Sequence, residues 1–233
     1  LTRKIAICVP ARDTMAMETA QSIVAMSTQF SVDYIAKGEA SLRFYWMNGT
    51  LLPDMRNDLA RVALKDGATH VLWVDSDMKF PKDSLVRLLA HDAPMVGANY
   101  VQRKRPCKPT AARVSDKTGE RYWVYTPPAE HETSPTEAVE SLGHGLCLIE
   151  TAVYECVPEP WYSMVWNGEK RQHVGEDVFF FRRVKQALDI EPIIDHALSR
   201  EVEHIGFHNY VWQDAYDDFP KLIEAQKPKE AAE

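Results

Sequence analysis

The sequence predicts an α/β fold, and three observations carry that expectation. Short apolar runs of strand length alternate with helical patterns through residues 1–100. Several of these runs end in polar or acidic residues, as strands do where a sheet meets a ligand crevice. The chain of 233 residues is 45% apolar, which suffices to bury the core of one α/β domain or at most two small ones.

Taken in order, residues 4–9 (KIAICV) read as a first strand that ends at Pro10, Ala11, Arg12 and Asp13. Residues 19–29 place Ile23, Val24 and Met26 at helical spacing, so this helix packs back on the sheet. A second strand over 41–47 closes at the turn dipeptide Asn48-Gly49. Met55-Arg56-Asn57-Asp58 then leads into the helical pattern Leu59, Val62, Ala63, with Gly67 as its C-cap. The run Val71 to Val74 is a buried strand, Pro81-Lys82-Asp83 begins an amphipathic helix through Leu85, Leu88 and Leu89, and residues 95–98 are the next strand. Neither G-x-G-x-x-G nor G-x-x-x-x-G-K-[ST] occurs, which disfavours a dinucleotide fingerprint and a P-loop.

Residues 101–141 change character. They hold the basic run Gln102-Arg103-Lys104-Arg105-Pro106, a hairpin turn over 114–121 between two short strands, and a Pro-, Glu- and Thr-rich stretch over 126–136. The basic run is either a solvated face or a grip for an anionic donor or acceptor. Gly143-His144-Gly145 precedes the buried strand 146–149, and its two glycines imply close approach of another chain segment or of a ligand. Trp161, Tyr162 and Trp166 are either core or platforms that stack on sugar rings. Gly175-Glu176-Asp177 opens a helix over 178–188, a strand-like run follows at 191–194, then Glu203-His204-Ile205-Gly206. Beyond Lys227 the tail is charged, rich in small residues and expected to fray.

The totals exclude some classes. With 27 basic against 34 acidic residues the net charge is −7, which speaks against a general nucleic-acid binder. No apolar run approaches the roughly 18 residues of a membrane helix, and LTRKIAICVP is too short for a signal peptide, so a soluble, cytoplasmic protein without a membrane anchor is expected. Cys8, Cys107, Cys147 and Cys156 show no C-x-x-C spacing, which points to reduced thiols and no structural zinc.

The chemistry concentrates in three acidic or imidazole-bearing segments. Asp75 and Asp77 flank Ser76 at the end of an apolar strand, where a hard divalent cation is held through one or two carboxylates and completed by water and phosphate oxygens. Glu176 and Asp177 suit a first helical turn for dipole reasons alone, yet the same position makes either a fixed general base. His204 ends a further apolar run, and imidazole is a common metal ligand as well as a common structural residue. Arg56 near a helix start offers a guanidinium to a phosphate, or merely solvates that turn.

In combination these segments resemble a glycosyltransferase of the GT-A fold. Ile7-Cys8-Val9-Pro10-Ala11-Arg12-Asp13, with Ser22 and Gln29 downstream, is similar to the first strand and helix of family 2 glycosyltransferases. Arg56-Asn57 resembles that family's A-R-N segment, and Asp75-Ser76-Asp77 its D-x-D. Gly175-Glu176-Asp177 with Arg182 resembles the G-E-D segment of family 2 and of β-1,4-galactosyltransferase-type enzymes, whose later histidine His204 matches. Ala11 and Arg12 depart from the usual Thr/Tyr, and no Asp follows the second strand to read the base.

The resemblance implies one GT-A-type domain over 1–227, with a Rossmann-like nucleotide-sugar half (1–100), a mixed central sheet, an acceptor half (101–227) and a tail over 228–233. It implies metal-dependent, inverting transfer of a sugar from a nucleotide-sugar to an acceptor hydroxyl. Asp75, Asp77 and His204 would hold Mn²⁺ or Mg²⁺. Pro10, Ala11, Arg12, Arg56, Asp75 and Ser76 would meet the donor, a UDP-sugar first and a GDP-sugar second. Asp177 would be the base and Glu176 would orient the acceptor, which is a glycan, a small molecule, a protein or a hydroxylated DNA base. The alternatives are a retaining transferase of the same fold, a haloacid-dehalogenase-like phosphatase with Asp75 as nucleophile, and a non-catalytic carbohydrate- or DNA-binding module.

Overall fold

Alternation within the first strand sets the layering of the whole molecule. In the computed structural model, which describes residues 2–115, 117–169, 171–206 and 209–220, β1 (Arg3–Ala11) sends alternate side chains to opposite faces. Ile5, Ile7 and Val9 join Ile23, Met26 and Phe30 of α1 (Met17–Phe30) in one apolar layer. Ala6 and Cys8 join Leu59, Ala60 and Ala63 of α2 (Leu52–Lys65) in the other. The middle of the sheet is therefore buried on both faces, which is why its central strands read as continuous apolar runs.

The remaining strands and α-helices are β2 (Ala40–Asn48), β3 (His70–Val74), β4 (Met78–Lys79), α3 (Ser84–Ala90), β5 (Met95–Gly97), β6 (Ala112–Val114), β7 (Arg121–Trp123), β8 (Thr136–Ala138) and β9 (Leu146–Glu150). They continue as α4 (Thr151–Cys156), β10 (Val165–Asn167), β11 (Gln172–Val174), α5 (Glu176–Leu188), β12 (Ile193–Asp195), α6 (His196–Glu201), β13 (Glu203–His204) and α7 (Trp212–Asp218). Among the described residues the central sheet has seven strands in the order β2-β1-β3-β9-β5-β12-β8. β1 runs parallel to β2 and β3, β9 runs antiparallel to both β3 and β5, β12 is parallel to β5, and β8 is antiparallel to β12. The fold is thus the mixed, Rossmann-like α/β class that the sequence predicts. Strands from both halves of the chain share this sheet and its core.

Local chemistry explains where boundaries differ from the sequence reading. α2 begins at Leu52, ahead of Met55, because Pro53 sits in its first turn, where a missing N–H costs nothing. α3 begins at Ser84, whose hydroxyl donates to the Pro81 carbonyl at 2.6 Å and closes the preceding turn. The hairpin expected over 114–121 forms as β6 and β7, although residue 116 lies outside the described residues, as does the tail over 228–233. The four cysteines are free thiols, and three of them are buried. Among the described residues no helix is long and apolar enough to cross a membrane.

Candidate functional site

The loops that leave β1 and β3 meet at the carboxyl ends of those parallel strands. The Ala16 N–H donates to the Ser76 carbonyl at 2.8 Å, and the Thr19 hydroxyl donates to the same oxygen at 3.2 Å. Between the loops lies a cleft of about 370 Å³, lined among others by Arg12, Thr14, Ser76, Asp77 and Arg103. Pro10 and Ala11 are buried at the end of β1, whereas Arg12 is exposed beside Asp13.

A short ribbon delivers the histidine. β13 pairs antiparallel with β4, placing His204 opposite Met78, and the Ile205 N–H donates to the Asp77 carbonyl at 2.7 Å. An ion pair between Lys79 and Glu203 at 2.6 Å ties the same two strands. His204 Nε2 consequently lies 3.5 Å from Asp77 Oδ1. Its Nδ1 is 2.9 Å from the Val101 carbonyl, an acceptor, so Nδ1 carries a proton and Nε2 faces Asp77, where it donates a hydrogen bond in the imidazolium and presents a lone pair in the neutral ring. Tyr100 packs edge-on against the imidazole at 5.1 Å and holds its orientation. Arg103 Nη1 stands 2.9 Å from Asp77 Oδ2 and also donates to the Ile205 carbonyl at 3.3 Å. Burial would raise the Asp77 pKa, but the hydrogen bond and charge of His204, with the charge of Arg103, hold it below the ordinary carboxylate value.

Asp77 and His204 form a mixed carboxylate and imidazole pair whose second ring nitrogen is already fixed by a carbonyl. That donor set fits a divalent cation which takes its other ligands from water and phosphate oxygens. Asp75 does not join the pair: its Oδ1 accepts from Arg56 Nη2 at 2.7 Å. Among the described residues no group of three or more His, Cys, Asp or Glu side chains is placed to hold a metal. The trio expected from the sequence is a pair here, with Asp75 committed elsewhere.

The reason is the burial of Arg56. Its guanidinium also reaches Glu176 Oε1 at 3.3 Å and lies 5.1 Å from the centre of the Trp73 ring. Burial alone would disfavour its charge, yet Asp75 and Glu176 outweigh that and raise its pKa. A buried guanidinium stripped of such partners would cost several kcal/mol, so both acids serve first as its counter-charges. Arg56 thereby staples the end of β3 to the start of α5 and faces inward, not into the cleft. Asn57 faces inward too: it accepts from the Trp161 and Tyr162 N–H groups at 3.0 and 3.1 Å and donates to the Tyr162 carbonyl at 2.8 Å.

Asp177 occupies the first turn of α5, half-buried, and accepts from the Val178 N–H at 2.6 Å. A Cβ on Gly175 would fall 2.8 Å from its Oδ1, so glycine is required for the carboxylate to fold back over the helix start. Burial first, and the neighbouring Glu176 charge second, push its pKa up to about 6, against the opposing Val178 N–H and the Arg56 and Arg121 charges. Such a group is ionised above roughly neutral pH and can still accept a proton there.

Other expectations resolve through packing. The glycines on either side of His144 admit a chain segment: a Cβ at Gly143 would meet the Tyr100 hydroxyl at 2.5 Å, and one at Gly145 would meet the ring at 2.6 Å. The Gly145 N–H donates to that hydroxyl at 3.1 Å, and the Asp75 N–H donates to the Gly145 carbonyl at 3.1 Å. Tyr100 thus ties Gly145, which holds the Asp75 backbone, to the His204 ring, a role for which its sequence context carries no signal. His144 is buried among Trp73, Tyr162, Phe180 and Phe181, and burial holds its pKa well below the usual histidine value. Trp161 and Tyr162 are core, while Trp166 is exposed on the β10–β11 hairpin that precedes Gly175. Arg103 was legible only as part of a basic run.

Fold and site together define a Rossmann-like mixed α/β domain with a cleft at the carboxyl ends of its parallel strands, lined by both aspartate and arginine side chains. No family model matches the chain, and neither does any curated protein. Among solved structures it is similar to A197 from STIV, with a TM-score of 0.53 and 11% identity, over 100% of this chain and 97% of that one. It also matches 4-diphosphocytidyl-2C-methyl-D-erythritol synthase from Anaerococcus prevotii (TM-score 0.33, 11% identity, 66% of this chain and 74% of that). A third match is HddC from Yersinia pseudotuberculosis complexed with GMP-PN (TM-score 0.37, 9% identity, 81% and 99%). At 11% identity, what the chain shares with A197 is the fold.

Proposed function

We propose that this chain is a metal-assisted glycosyltransferase that moves a sugar from a nucleotide-sugar to an acceptor hydroxyl. The observation that carries the reading is the Asp77–His204 pair, 3.5 Å apart, built from segments remote in sequence, with Asp77 lining the cleft. Asp77 and His204 would hold Mn²⁺ or Mg²⁺, which when bound would supply positive charge against the diphosphate. Pro10 and Ala11, buried at the end of β1, would set the position of Arg12, Ser76 lines the cleft, and the exposed Arg12 would offer a cation to the donor's phosphates. Asp75, oriented by Arg56, is available to the donor through its second oxygen.

Asp177 takes the proton of the acceptor hydroxyl while that oxygen bonds to the anomeric carbon and the bond to the nucleoside diphosphate breaks, giving inversion. Glu176 acts through Arg56, fixing the helix start from which Asp177 projects. The donor is a UDP-sugar in first place and a GDP-sugar in second. A thermal-shift screen of UDP- and GDP-sugars with and without Mn²⁺ tests the reading. A metal-dependent shift with one donor is the expected result; no shift with any nucleotide-sugar would remove it.

A further inference from the structure

Within the basic run, the structure separates the two arginines. Arg105 is pinned by Asp214 and Asp218 against α7. Arg103 instead lines the cleft, its side chain half-exposed, and rests on Asp77 Oδ2 at 2.9 Å and on the Ile205 carbonyl at 3.3 Å. Its backbone has little freedom: the Val101 carbonyl holds His204, Val101 bridges to Pro109, and the Gln102 N–H donates to the Lys108 carbonyl at 2.8 Å. The long side chain, by contrast, projects from this fixed base into an open cleft.

We infer that Arg103 is an exchangeable counter-charge, bound to Asp77 when the cleft holds no cation and transferred to the donor's diphosphate when a cation takes Asp77. The inference rests on the transferase reading. Asp77 presents one oxygen to His204 and the other to Arg103. A divalent cation between Asp77 and His204 draws on the same carboxylate charge and weakens the arginine's hold. Phosphate oxygens arriving with the cation offer the guanidinium a two-pronged partner, whereas Asp77 gives it Oδ2 alone because Oδ1 faces His204. Arg103 therefore opposes the bare metal and favours the metal with diphosphate, so its removal should move the two affinities in opposite directions.

Calorimetric titration of the full chain tests this, using MnCl₂ alone and then inorganic pyrophosphate in the presence of Mn²⁺. Arg103→Ala should bind Mn²⁺ alone about threefold more tightly and Mn²⁺-pyrophosphate about tenfold more weakly, the latter matching loss of one charge-assisted contact. Arg103→Gln, which keeps the stem and a polar head, should show the same opposed signs and serves if the alanine variant folds poorly. Both affinities moving the same way, or neither moving, would overturn the exchange while leaving the transferase reading in place. A wild-type chain that binds no Mn²⁺-pyrophosphate would remove both.

Discussion

His204 Nε2 faces Asp77 Oδ1 across 3.5 Å, held there by a two-residue ribbon between β4 and β13 and by the Val101 carbonyl on the far side of the ring. The contact brings together a loop after the third strand and a segment after α6. It backs the cleft's Asp77 carboxylate with an imidazole of fixed orientation, the feature on which the functional reading turns.

Asp77→Asn removes a negative ligand but keeps the shape. The variant should lose the Mn²⁺-dependent thermal shift with nucleotide-sugar, and turnover should fall by about 100-fold or more. An undiminished metal-dependent shift would show that Asp77 holds no cation.

Gly175→Ala should separate catalysis from folding. The added methyl meets the Asp177 carboxylate, the free end of a side chain, so the melting temperature should change by only a few degrees. Displacing that carboxylate should nevertheless cost about tenfold or more in kcat. Equal activity in the two proteins would argue that Asp177 is not the base.

The pH dependence of Asp177 has a definite sign. Its folded pKa of about 6 lies above the ordinary carboxylate value, so the ionised group opposes folding at neutral pH, and the penalty disappears as pH falls through both values. Asp177→Asn should therefore be more stable than wild type by about 1–3 kcal/mol at pH 8 and equal to it near pH 3.5. Comparing the pair cancels the contribution of His144, which is depressed and acts oppositely below pH 6.5. In wild type the rate should climb as pH rises through about 6, and a profile flat from pH 5 to 8 would exclude Asp177 as proton acceptor.

Arg56→Met leaves Asp75 and Glu176 without their shared cation. Urea unfolding at neutral pH should show a loss of about 3 kcal/mol, and part of it should return on also making Asp75→Asn and Glu176→Gln. A loss confined to activity, with stability intact, would place Arg56 among donor contacts instead.

Much of the fold was legible because its signals are local. The apolar runs of β1 and β3, Gly67 just past α2 and Gly175 at the start of α5 each depend on neighbours in the chain. The acidic and imidazole positions were legible too, as polar residues ending apolar runs. Their partnerships were not: Asp75 binds Arg56, Gly143 and Gly145 make room for Tyr100, and Trp161 is core while Trp166 is exposed.

The amino-acid order by itself determined the α/β class, the strand ends where chemistry gathers, and Asp77, His204 and Asp177 as residues of interest. The tertiary structure alone decided which charges meet. Periodicity records which face a residue turns to the core, but an ion pair depends on the distance between segments that only packing brings together. Arg56, buried and in need of two carboxylates, drew Asp75 and Glu176 to itself and left Asp77 with His204 and Arg103 at the cleft.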